Sequence, residues 1–178
     1  MHDEVLKKVH DARVVIMCGV SGSGKTFFSR RLEQLGFRRI SSDGIVWDKY
    51  GSEFMHFPPS RQKEIFMSAQ HDLAEQMVSL IDAGDKVVVD STMCRRSKRN
   101  HMRALCLSKG INPAIVYMSA PLHILQERLS NRKDTGPDDQ RVDDDNLKQY
   151  YTNFETPSAD ENAFVCSPII HDQSKLTN

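Results

Sequence analysis

Short apolar runs alternate along this chain with longer amphipathic stretches. The runs rich in β-branched residues predict strands at 12–18, 37–42, 86–92, 113–120 and 163–166. Between them, apolar residues at helical spacing predict helices from the end of a glycine-rich loop to near Gly36, over 60–83, over 95–109, from Pro121 and from near Asp144. Strands that return through helices are typical of parallel sheets. The pattern therefore predicts an α/β fold with a mainly parallel five-stranded sheet flanked by helices.

The composition is that of an ordinary globular protein. The chain has 178 residues, of which 39% are hydrophobic and 27% charged, so one core can bury most of its apolar surface and we expect one domain over 1–178. It has no long apolar run, and its charged N-terminus lacks signal-like features, which predicts a cytoplasmic protein without membrane contact. A net charge of zero argues against attraction of nucleic acid by the whole molecule but leaves a local basic patch open.

The stretch GVSGSGKT, residues 19–26, fits the pattern GxxxxGK[ST] between the first predicted strand and a predicted helix. This context predicts a P-loop NTPase fold that binds ATP and Mg²⁺. Lys25 should reach the β and γ phosphates, while the Thr26 hydroxyl should ligate Mg²⁺. A glycine turn that only connects strand and helix is the alternative, and the complete motif disfavours it. The predicted nucleotide-binding residues are Gly19, Val20, Ser21, Gly22, Ser23, Gly24, Lys25 and Thr26.

Two aspartates follow predicted strands, where ligand-facing residues of open parallel sheets collect. Asp43 could orient an acceptor hydroxyl and accept its proton during phosphoryl transfer. Alternatively it caps a short helix, and Asp48 is a weaker rival for the base. Asp90 ends the third strand, the position at which P-loop proteins hold Mg²⁺ directly or through water. The alternative for Asp90 is a hydrogen bond to the neighbouring loop.

Arg128 and Arg132 are four residues apart on the helix that enters the charged segment 131–145. This spacing places both side chains on one helix face, from which they could stabilise the transferring phosphoryl group. The alternative is that they are solvated helix charges. The segment itself is predicted to be a mobile lid over the site.

A basic run, CRRSKRNHMR at 94–103, follows the Asp90 strand. It could bind phosphates of an acceptor, and it could equally be a solvated helix face.

Together these motifs resemble the P-loop kinases of the group that includes the polynucleotide 5′-hydroxyl kinase domain and the zeta-toxin-like kinases. The resemblance is carried by GVSGSGKT, by SSD after the second strand, by VVVDST before a basic helix, by ERLSNR and by NFETPSADE. It implies an ATP- and Mg²⁺-dependent kinase in which Asp43 activates the acceptor hydroxyl. It also implies that Arg128 and Arg132 belong to a mobile lid over the phosphates.

Two departures from that group concern the acceptor. The positions two and three residues after Asp43, where many members carry an arginine, are Ile45 and Val46, and Met93 stands where asparagine is usual. A polynucleotide 5′-hydroxyl is the acceptor that the resemblance favours. A small-molecule kinase acting on a nucleotide sugar, sugar or nucleoside is the alternative, and a nucleotide-dependent switch or binding module is a hypothesis of a different class.

Overall fold

The protein is described by a computed structural model that covers residues 2–139 and 141–167. Five strands form one sheet, as predicted, and all of them are parallel. Their order is β2-β3-β1-β4-β5. The strands are β1 Val14–Cys18, β2 Phe37–Ser41, β3 Lys86–Asp90, β4 Ala114–Met118 and β5 Phe164–Cys166. The helices are α1 His2–Val9, α2 Lys25–Glu33, α3 Ser42–Tyr50, α4 Pro59–Asp82, α5 Arg96–Ser108, α6 Leu122–Ser130 and α7 Asp144–Thr152.

Strand β1 is central, and all five of its residues are buried. It pairs with β3 on one side, with Val14 opposite Val87, and with β4 on the other, with Val15 opposite Ala114. A strand covered by helices on both faces and by strands on both edges has no position that favours a polar side chain. This explains why its sequence is a continuous apolar run.

Alternate residues of β1 enter the two layers of the core. Val14 and Ile16 pack in the cluster that contains the α4 side chains, while Val15 and Met17 pack in the cluster that contains Phe28 of α2. This alternation is the two-residue period of a strand. On α4, the buried residues Ile65, Ala69, Leu73, Met77 and Ile81 recur every four residues and form the stripe that faces the sheet.

Two helices were not predicted. Helix α1 has eight residues and buries Val5 and Val9, which is too short a pattern to identify a helix from sequence alone. Helix α3 begins directly after β2, where the Ser41 side chain accepts a hydrogen bond from the Gly44 N–H. Ser41 is thus the N-cap, and the alternative that Asp43 caps this helix is wrong.

Within the described residues, none of the helices combines the length and apolar character needed to cross a bilayer.

Candidate active site

A cleft of about 430 Å³ opens at the carboxyl ends of the central strands. Residues 21–26 of the glycine-rich loop line it, together with Asp43, Asp90, Arg128 and Arg132. The structure thus brings most of the predicted site residues into one cavity. Gly19 and Val20 are not among the lining residues; they lie where the loop leaves β1.

The loop depends on glycine at both of its ends. Gly19 and Gly24 have φ angles of 148° and 104°, in the region that L side chains rarely adopt. At Gly19 a Cβ atom would also lie 2.6 Å from the Met118 carbonyl oxygen, which is too close for any side chain. The two glycines let the loop turn tightly from β1 into the N-terminus of α2, the arrangement that presents backbone N–H groups to an anion.

Lys25 is the first residue of α2 and is buried beneath the loop. Its Nζ donates a hydrogen bond of 3.0 Å to the Val20 carbonyl oxygen, so the side chain is held back under the loop. Burial lowers the pKa of Lys25, whereas the carboxylates of Asp90 and Asp43 oppose that change. The ammonium group therefore sits in the cleft with both carboxylates close enough to act on it.

Asp43 is the second residue of α3 and faces the cleft. Burial raises the pKa of Asp43 from 3.8 to about 6, and the carboxylates of Asp90 and Asp138 add to the rise, while Lys25 opposes it. A carboxylate with a pKa in this range can accept a proton more readily than an ordinary aspartate. Asp48, the weaker rival, is exposed and is not part of the cleft.

Asp90 ends β3 and is buried. One of its oxygens, Oδ2, accepts a hydrogen bond of 2.8 Å from Nε of Arg39 on β2. Asp90 and Thr26 line the same cleft and offer the hard oxygen atoms that Mg²⁺ prefers. Among residues 2–139 and 141–167, no group of three or more His, Cys, Asp or Glu could hold a metal ion by itself. The residues fit a Mg²⁺ ion that is held partly by nucleotide phosphates.

Arg128 and Arg132 approach the loop from the end of α6. Nη1 of Arg128 donates a hydrogen bond of 3.1 Å to the Gly22 carbonyl oxygen. Arg132 lies two residues beyond α6, so the prediction that both arginines share one face of a helix is wrong, although Arg132 lines the same cavity. Both side chains therefore line the same cleft as the loop.

Sequence reasoning missed an ion pair at the site. Arg39 lies on β2, and Asp138 lies in the segment 131–145, which is called the lid hereafter for its predicted role. They form an ion pair of 2.5 Å, and Asp138 lines the cleft. No local motif marks either residue, since β2 carries two consecutive arginines and the lid carries several aspartates.

Three arginines of the basic run after β3 form ion pairs with acidic residues of the segment 155–161. Arg95 and Arg96 pair with Glu155 and Asp160, respectively. Arg99 is fully buried and forms two hydrogen bonds, of 2.6 and 2.8 Å, with Glu161. These contacts account for much of the positive charge that the sequence places beside the cleft.

The positions that depart from the kinase group are buried. Ile45 and Val46 are 8% and 1% exposed, so they pack in the core rather than face an acceptor. Met93 is 1% exposed, has a φ angle of 43°, and its carbonyl oxygen accepts a hydrogen bond from Arg99. None of the three side chains is placed to bind an acceptor.

A parallel sheet of this strand order, with a GxxxxGK[ST] loop between β1 and α2, defines the P-loop NTPase fold. A family model described as an AAA domain matches residues 14–157, which is most of the chain. The chain therefore belongs to that family, and the predicted grouping with P-loop kinases is confirmed at this level.

Solved structures with the same fold include several kinases. A sugar kinase from Janibacter sp. HTCC2649 is 21% identical, with 88% of this chain and 85% of that chain covered and a TM-score of 0.63. Kti12 from Chaetomium thermophilum, solved with ADP-AlF3, is 16% identical, with 86% and 88% covered and a TM-score of 0.64. A chain of the Pnkp1/Rnl/Hen1 RNA repair complex is 17% identical, with 79% and 43% covered and a TM-score of 0.60. At these identities the likeness shows the fold.

Proposed function

We propose that this protein is an ATP- and Mg²⁺-dependent kinase that transfers the γ-phosphoryl group to an acceptor hydroxyl. The observation that carries the proposal is the position of Asp43, whose carboxylate lies in the same cleft as the phosphate-binding loop and has a pKa raised to about 6. A protein that only hydrolyses ATP would use a carboxylate here to activate water, so the acceptor assay below separates the two functions. A kinase requires one to receive the proton of the acceptor.

Each step of the transfer has a residue in the cleft to support it. The acceptor oxygen attacks the γ-phosphorus, its proton passes to Asp43, and the bond to the bridging oxygen breaks so that ADP leaves. Lys25, Arg128 and Arg132 would stabilise the negative charge on the phosphoryl oxygens. Thr26 and Asp90 would hold Mg²⁺, which neutralises charge between the phosphates.

The acceptor hydroxyl has two candidates, a polynucleotide 5′ end and a small molecule. The pairing of Arg95, Arg96 and Arg99 with acidic residues favours the small molecule, because these cations were the nearest candidates for binding nucleic acid phosphates. The burial of Ile45 and Val46 supports the same choice. A sugar, a nucleoside or a nucleotide sugar would bind in the cleft without a phosphate-binding arginine at the positions of Ile45 and Val46.

The proposal is tested by incubating the protein with labelled ATP and Mg²⁺ in the presence of panels of acceptors. The panels contain 5′-hydroxyl oligonucleotides, nucleosides, sugars and nucleotide sugars, and Asp43→Asn serves as the matched inactive control. We expect label to transfer to a small hydroxyl compound with the unmodified protein only. Turnover to phosphate in water with every acceptor would contradict the kinase assignment and favour the switch.

The salt dependence of transfer separates the two acceptors. A polynucleotide should show a log–log decrease of roughly one for each phosphate contact, and changing Arg95 and Arg96 together to Ala should flatten it. A small uncharged acceptor should show almost no salt dependence and no response to the pair. Salt-sensitive transfer to oligonucleotides would therefore identify a polynucleotide 5′-hydroxyl as the acceptor.

A further inference from the structure

An ion-pair network connects the lid to the centre of the site. Arg39 of β2 is at its middle, with its Nε donating to Asp90 at 2.8 Å and its Nη2 donating to Asp138 at 2.5 Å. The second oxygen of Asp138 accepts a hydrogen bond of 2.8 Å from Nη2 of Arg30 on α2. One lid carboxylate thus joins two elements of the body of the protein.

The burial of Arg39, Asp90 and Asp138 separates their part of the network from the ordinary surface ion pairs of the chain, whereas Arg30 is 63% exposed. The side chains of Arg39, Asp90 and Asp138 are 15%, 4% and 19% exposed, whereas both partners of the pair Lys8–Glu4 are more than half exposed. Exposed pairs contribute little because water screens them and their side chains must be ordered. Charge-assisted hydrogen bonds between mostly buried groups are stronger, and removing one partner leaves the other charges buried without it.

We propose that Asp138 and Arg39 form a latch that holds the lid over the cleft and couples its closure to the position of Asp90. In this arrangement Arg39 is a positioning residue, since it acts on the nucleotide only through Asp90 and the lid. Because one guanidinium group binds both carboxylates, release of Asp138 leaves Asp90 with a partner that is free to move. Opening of the lid and loosening of Asp90 are then one event.

Loss of the latch should affect the two arginines near the end of α6 differently. Arg128 is attached to the loop through the Gly22 carbonyl oxygen, so its position does not need the latch. Arg132 lies within the lid segment and moves with it. Loss of the latch should therefore reduce the rate of transfer more than it reduces the affinity for ATP.

The first test is limited digestion of the nucleotide-free protein with trypsin, since the lid carries Arg132, Lys133 and Arg141. Cleavage sites are assigned by mass spectrometry. Asp138→Asn removes the charge that Arg39 and Arg30 bind, and we expect cleavage within the lid to accelerate about tenfold. Asp145→Asn, with a side chain that is 98% exposed in the same segment, is the matched control and should leave the rate unchanged.

Arg39→Gln should accelerate the same cleavage, with Arg38→Gln as its control because Arg38 is exposed on the same strand. Arg39→Lys keeps the charge beside Asp90 and serves if the glutamine variant does not fold. Asp138→Glu retains the carboxylate and should restore most of the protection. Equal cleavage in Asp138→Asn and the unmodified protein would overturn the latch, and acceleration by Asp138→Asn without acceleration by either Arg39 variant would assign it to Arg30.

The coupling to Asp90 is tested by calorimetry with a non-hydrolysable ATP analogue, with and without Mg²⁺. Mg²⁺ should raise the affinity for the analogue about tenfold less in Arg39→Gln or Arg39→Lys than in the unmodified protein. The affinity without Mg²⁺ should be unchanged. An unchanged gain would overturn the coupling.

The effect on transfer rests on the proposed function, and the calorimetry rests on the part of it that gives Asp90 a role in holding Mg²⁺, whereas the digestion rests on neither. If no acceptor is phosphorylated while Asp138→Asn opens the lid, the proposed function fails and the latch stands. If transfer occurs and the lid is equally protected in every variant, the latch fails and the function stands.

Discussion

Asp43→Asn should stabilise the protein at neutral pH while it removes transfer. Burial raises the pKa of Asp43 from 3.8 to about 6, so the ionised carboxylate is held at a cost in the folded state. The folded protein keeps the proton at higher pH than the unfolded chain does. Stability is therefore lost as the pH rises from about 4 to about 6, and the loss is then constant.

The size of the effect follows from the two pKa values. A difference of about two pH units corresponds to roughly 3 kcal/mol at pH 7, since each unit is worth about 1.36 kcal/mol. Asparagine has nearly the same shape and no charge, so the variant should recover most of this free energy of unfolding. For a chain of this length, about 1 kcal/mol shifts Tm by roughly 2–4 °C, which predicts an increase of several degrees.

The assay is urea denaturation of both proteins at pH 4.5 and pH 7.5, together with phosphoryl transfer and ATP binding at pH 7.5. We expect a difference in stability of about 1 kcal/mol at pH 4.5 and about 3 kcal/mol at pH 7.5. Transfer should fall by about 10² or more, with little change in ATP affinity. Asp48→Asn, exposed on the same helix, is the control and should change none of these. A stability difference independent of pH would refute the reasoning, and normal transfer would refute the role of Asp43 as the base.

Three further predictions concern the pH dependence of transfer and the roles of Lys25 and Arg99. The kcat/KM of transfer should rise as the pH passes through about 6, because Asp43 must be ionised to act as the base, and Asp43→Asn should remove this rise. Lys25→Ala should weaken ATP binding and cost about 2–4 kcal/mol in transfer, measured from kcat/KM, and a normal rate would exclude the loop from the active site. Arg99→Met should lower the free energy of unfolding by about 3–5 kcal/mol by leaving Glu161 buried without its partner, whereas Lys98→Met, exposed on the same helix, should have little effect. The hydrogen bonds from Arg99 lower the pKa of Glu161, so the stability it contributes should be lost at acid pH, and a variant as stable as the unmodified protein would contradict this account.

The sequence determined the elements whose signals are local. Strand β1 and the loop after it are contiguous, so an apolar run followed by GxxxxGK[ST] specified both the strand and the phosphate site. The positions of Asp43 and Asp90 followed from the same reasoning, since the carboxyl ends of parallel strands meet at one edge of the sheet. Helix α4 could be predicted because its apolar residues repeat over many turns.

Only the tertiary structure decided which charges meet. Arg39 and Asp138 are 99 positions apart, and Arg99 and Glu161 are 62 apart. Nothing local to either residue distinguishes it from neighbouring arginines and aspartates, because an ion pair depends on where the chain returns and not on what flanks it. The same reason applies to the basic run after β3, for which the sequence left a phosphate-binding surface and a solvated helix face equally open and did not show the carboxylates of the segment 155–161 that pair with it.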